Sequence, residues 1–148
     1  MGRTTPRGFT LIELMVAVAI MAIVTAIAFP LYEAQSRKGK RPDGIAALEK
    51  VAQAEQQYFS ALTDRQLPGT FTTAIATDLA PYGITSAVSP GGFYNIAVAA
   101  GDTGVIATSF VVTATAVGGQ ASDDCTVFML YSTGRRDGTP NRQACWGK

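Results

Sequence analysis

The chain has 148 residues, 47% hydrophobic and 16% charged, with a net charge of +1. That length allows one modest core plus an appended segment, and the near-neutral balance argues against a global attraction to nucleic acid. Histidine, the commonest general base and transition-metal ligand, is absent. No nucleophile–base set, phosphate loop or paired-carboxylate motif stands out, so neither an enzyme nor a bound cofactor or metal is expected.

Phe9 to Phe29 form a 21-residue apolar run in which Glu13 is the only charge. As a helix it would be about 31 Å long, enough to cross the hydrocarbon core of a bilayer. In front lie Met1 to Gly8 with Arg3 and Arg7, charges that favour the cytoplasmic side. Their loss would bring the net charge to −1. A secretory signal places its small cleavage residue after the apolar run, whereas Gly8 comes before it. A cut after Gly8 would leave the helix on the mature protein. Glu13 is costly inside such a helix, but it lies in the first turn, where the helix dipole favours a carboxylate, and a new amine at Phe9 would balance it.

Gly8-Phe9-Thr10-Leu11-Ile12-Glu13 followed by the apolar run resembles the type III signal of type IV prepilins. The resemblance implies a membrane-embedded prepilin peptidase that cuts after Gly8 and N-methylates Phe9. It also implies that Glu13 neutralises the Phe9 amine of an adjacent subunit. Pro30 matches a proline that kinks this helix in many pilins, and Ala22 stands where many have glycine. The expected organisation is a leader at 1–8, a transmembrane and filament-core helix at 9–30, and an exported domain at 31–148. The precursor would be a single-pass inner-membrane protein, later part of a surface pilus. Its partners would be other pilin subunits, the peptidase and the inner-membrane assembly platform.

Leu31 to Arg41 carries Glu33, Arg37, Lys38, Lys40 and Arg41 and reads as a solvated helix surface or one paired with acids of neighbouring subunits, rather than a lipid-headgroup contact, although basic residues outside the membrane run against the positive-inside rule. Gly39 and Pro42 predict a bend or break, with helix resuming at Pro42 and Asp43. Ile45, Leu48, Val51, Ala52, Tyr58 and Phe59 form one apolar stripe, with Glu49, Lys50, Glu55 and Gln56 covering the other sides. Ser60 to Gly92 reads as a turn-rich connection. Three strands are predicted: Phe93 to Ala99 around Tyr94, Ile96 and Val98; Val105 to Val117; and Thr126 to Tyr131 around Val127, Met129 and Tyr131. The fold class is α+β, a long N-terminal helix packed on a small antiparallel sheet, and the resemblance implies a pilin fold with a disulfide-closed C-terminal loop.

Export to an oxidising compartment makes Cys125 and Cys145 a disulfide pair, stabilising by about 3 kcal/mol through loop closure. The closed segment is too polar to hold itself in place, and it corresponds to the disulfide-bounded loop of pilins. Tyr58, Tyr94, Phe110 with Thr113-Ala114-Thr115, Asp124-Cys125, the Ser132-Thr133-Gly134 turn and Cys145-Trp146 resemble the E-type minor pilins. That likeness implies a low-abundance subunit that primes pilus assembly and enters the fibre, which could serve twitching motility, adhesion or DNA uptake. Two other readings share the leader. A type II secretion pseudopilin is disfavoured by the cysteine-closed loop. A DNA-binding competence pilin would use Arg135, Arg136, Arg142 and Lys148 with Trp146 for stacking, residues that otherwise read as solvated surface. Asp123 and Asp124 are too few for a calcium site and read as solvated turn residues.

Overall fold

The computed structural model describes residues 8–147, so the expected leader apart from Gly8, with Arg3 and Arg7, and the candidate DNA contact Lys148 lie outside the described residues. A 54-residue helix, α1, spans Leu11–Asp64. Helix α2 (Ile75–Asp78) and a 3-10 turn (Ala80–Tyr82) follow. Strands β1 (Tyr94–Ala100), β2 (Phe110–Ala116), β3 (Val127–Tyr131) and β4 (Arg136–Thr139) precede a short α3 (Arg142–Trp146). The division between two compact units falls between Ser36 and Arg37.

In the first unit every residue from Gly8 to Glu33 is exposed, apolar side chains included. A helix apolar on all sides needs an apolar environment from outside the chain. Thr25 meets that constraint locally, donating its hydroxyl to the Met21 carbonyl at 2.7 Å.

In the second unit the remainder of α1 packs on an antiparallel meander of order β1-β2-β3-β4. Tyr94, Ile96 and Val98 point inward from β1 as their alternation predicts, and Phe110, Val112, Ala114 and Ala116 do so from β2. Gly44, Ala47, Leu48, Val51 and Ala54 of α1 meet them. A Cβ on Gly44 would lie 2.8 Å from the Tyr94 ring, so only glycine lets helix and sheet approach this closely here. The helix ends at Asp64; two residues on, Gln66 with a φ of 60° reverses the chain while the Leu67 amide reaches back to the Leu62 carbonyl.

Several expectations are corrected. Helix α1 runs unbroken through Gly39 and Pro42. Proline removes one amide donor and crowds a carbonyl, but tertiary bonds flank it on both sides. Arg41 binds Asp123 and Ala144, and Asp43 accepts the Gly91 amide at 2.9 Å. Strand β2 starts only at Phe110, because Gly101 to Thr108 form turns. In β3 the inward residues are Phe128 and Leu130, not Val127, Met129 and Tyr131. Five successive apolar residues carry no alternation from which to choose a face. The sequence predicts only three strands, but the cysteine-closed segment adds a fourth, β4, paired with β3, and the short α3. Gly138 makes β4 possible, since a Cβ there would meet the Val127 carbonyl at 2.8 Å and Cys145 at 2.9 Å.

Candidate functional site

The residues that the sequence suggests for processing and assembly lie at the start of α1. Thr10 precedes the first helical residue, and its hydroxyl accepts the Glu13 amide at 3.3 Å. Glu13 replies: its Oε2 accepts the Thr10 amide at 3.4 Å. This reciprocal capping box satisfies two of the amides that a helix start leaves without partners. The Glu13 carboxylate therefore points back toward the chain entering the helix. Phe9, immediately before Thr10, is 86% exposed, and Gly8 has open space where a Cβ would stand. Gly8, Phe9, Thr10 and Glu13 together line one concavity. Pro30 lies within α1.

The second group surrounds the disulfide. Cys125 and Cys145 are bonded, with Cα atoms 5.3 Å apart, and both are buried. Asn141 caps α3 by accepting the Ala144 amide at 2.9 Å, which presents Cys145 to its partner. Trp146 donates its indole N–H to the Asp137 carbonyl at 2.6 Å and stands edge-on to Phe128. The Arg136 guanidinium lies 4.9 Å from the Trp146 ring centre and donates to Glu49 at 3.1 Å. Arg135 covers Tyr131 at 3.6 Å and pairs with Asp102. Arg136 and Trp146 are thus brought together; Arg135 sits on its own aromatic, and Arg142 is exposed at the start of α3.

Beside the disulfide lies a junction that sequence reasoning missed. Arg41 donates to both oxygens of Asp123, at 2.6 and 2.8 Å, and to the Ala144 carbonyl at 3.1 Å. Gln120 donates to the Arg37 carbonyl, the Tyr94 hydroxyl and Asp123. Asp123 is therefore no solvated turn residue, and both its oxygens are engaged by Arg41. Burial pushes its carboxyl up, but the Arg41 hydrogen bonds and charge and the Asp124 amide outweigh this and hold it below the ordinary value. Arg41 and Asp123 are 82 positions apart, and nothing local links them. Glu55, assigned to the solvent side, is also buried. Its signal was present, because it continues the three- and four-residue spacing of Leu48, Val51, Ala52, Tyr58 and Phe59.

Residues 30–129 match the family model described as type IV minor pilin ComP, DNA uptake sequence receptor. Residues 3–29 match the prokaryotic N-terminal methylation motif. Similar proteins include a fimbrial protein of Neisseria meningitidis serogroup B, 35% identical over 71 residues, covering 48% of this chain and 41% of that protein. The type IV major pilin protein PilE1 of Neisseria gonorrhoeae is 36% identical over 56 residues, 38% of this chain and 34% of the relative. The type IV major pilin protein PilA of Myxococcus xanthus is 41% identical over 54 residues, 36% of this chain and 24% of the relative. The matched stretches thus span less than half the length of these relatives.

Proposed function

The chain belongs to the type IV minor pilin family whose model it matches across residues 30–129, and on that premise we propose that it is a structural subunit of a type IV pilus. In this reading the precursor sits in the inner membrane, is cut after Gly8 by a prepilin peptidase, and is methylated on Phe9. It then enters a helical bundle through its apolar helix, as a low-abundance subunit that primes assembly. One observation carries the reading: a fully exposed apolar helix whose single acid is folded back onto its own first turn, beside the cut. Cleavage would leave a cationic amine at Phe9, next to Thr10. In an apolar bundle an amine and a carboxylate are each costly alone and favourable together. The test is processing. Co-expressed with a prepilin peptidase, the chain should lose its leader on a denaturing gel, and Gly8→Asp should abolish that shift. An unshifted wild-type band would contradict the reading.

A second reading has its own support. The matched family is described as a DNA uptake sequence receptor, and Arg136 stacked on Trp146 presents a cation and an aromatic face together. The pairs Arg135–Asp102 and Arg136–Glu49 are solvent-exposed. Such pairs contribute only about 0–1 kcal/mol, so phosphate could replace the carboxylates. A gel shift of the full chain in detergent, titrated with salt, tests this. Binding that weakens steeply with salt and is lost in Arg136→Ala supports it, and no shift at low salt removes it.

A further inference from the structure

Glu55 is the most unusual ionisable group in the exported unit. It lies on the sheet-facing side of α1 with 0% of its surface exposed. The segment connecting α1 to β1 folds across it. Phe71 stacks on Phe59 of α1 and meets Phe110 of β2 edge-on, and Ile75 and Leu79 are buried beside it. Where that segment passes the helix, the Thr72 amide donates to Glu55 Oε2 at 3.0 Å. The other oxygen, Oε1, is buried and has no protein partner. Among the described residues no ion pair reaches Glu55.

The other titratable groups here deepen the problem for a charged carboxylate. Thr72 gives its hydroxyl proton to Asp78 Oδ2 at 2.6 Å, which places a second carboxylate one residue away through a shared partner. Tyr58 of α1 and Tyr82 of the 3-10 turn complete the set, and the Tyr58 hydroxyl is raised by burial and then by Asp78, Glu55 and Tyr82. One donor, an orphaned oxygen and an adjacent anion are a poor setting for a charge and an adequate one for a neutral acid.

We propose that Glu55 is a proton-operated latch: with its carboxyl neutral the segment around Thr72 is docked on α1, and ionisation loosens it. This goes beyond the pilus reading, since it concerns the exported unit whether or not a filament forms. Burial pushes the Glu55 carboxyl up to about 7, against the pull of the Thr72 amide and with help from Asp78. A raised carboxyl favours docking fully below the ordinary value of 4.5. Docking then weakens as pH rises toward about 7 and changes little above it.

Hydrogen exchange of the full chain in detergent micelles, read by mass spectrometry on peptides covering 71–79, tests the latch. After correction for intrinsic exchange, protection should fall by about tenfold per pH unit between pH 5 and 7, then level off. Glu55→Gln should remove the step and keep the protection of the acid form. Asp78→Asn should keep the step but move its midpoint to lower pH, because a like charge has gone. Flat protection in the unmodified chain, a persisting step in Glu55→Gln, or an unmoved midpoint in Asp78→Asn would each overturn the proposal.

Discussion

The Arg41 guanidinium directs three hydrogen bonds at the C-terminal part of the domain, two to Asp123 and one to the Ala144 carbonyl. Its side chain is 14% exposed and that of Asp123 only 3%, so removing the arginine strands a buried carboxylate. Arg41→Ala should therefore cost about 3–5 kcal/mol, measured as a lower denaturation midpoint of the full chain in detergent. The pH dependence has the opposite sign to that of Glu55. A depressed carboxyl stabilises above its ordinary value of 3.8, and that contribution disappears as pH falls below it. Acid melts should show this loss in the unmodified protein and not in Asp123→Asn. At the helix start, Glu13→Ala should leave cleavage after Gly8 intact but reduce recovery of the chain in filaments. Equal recovery would count against charge pairing between subunits.

Among the elements, legibility followed the strength of each local pattern. The apolar run after Gly8 and the alternation of Tyr94, Ile96 and Val98 were readable because one residue type repeats at one period. The uniformly apolar β3 hid its facing, and β4 hid altogether, since Arg-Asp-Gly-Thr resembles a turn until β3 supplies its hydrogen bonds. Helix α1 hid its continuity, because the bonds that carry it past Pro42 come from Asp123, Ala144 and Gly91, far along the chain. The candidate site divides the same way. Gly8, Phe9 and Glu13 form one short motif, whereas the seating of Arg136 on Trp146 and the Arg41 junction depend on the fold. Gly44 lets α1 lie directly against the Tyr94 ring of β1. Gly44→Ala should drive a methyl group into the Tyr94 ring and destabilise by about 1–3 kcal/mol, seen as a lowered thermal midpoint.

At the level of the whole molecule, the disulfide ties Cys125, two residues before β3, to Cys145 of α3 across a separation of 20 residues. Reduction should cost about 3 kcal/mol on a chain-entropy account and open the segment 126–144 to protease. Equal resistance with and without reductant would show that β4 and α3 hold unaided. The exposed apolar helix is the larger dependency, for it finds an apolar setting only in a bilayer or among copies of similar helices. As the pilus subunit proposed above, the chain would pass from one to the other. Mass spectrometry of filaments sheared from the cell surface tests this most directly. A mature chain beginning at N-methylated Phe9 is expected within the filament fraction; a chain found only in membranes, or still carrying residues 1–8, would contradict the pilus reading.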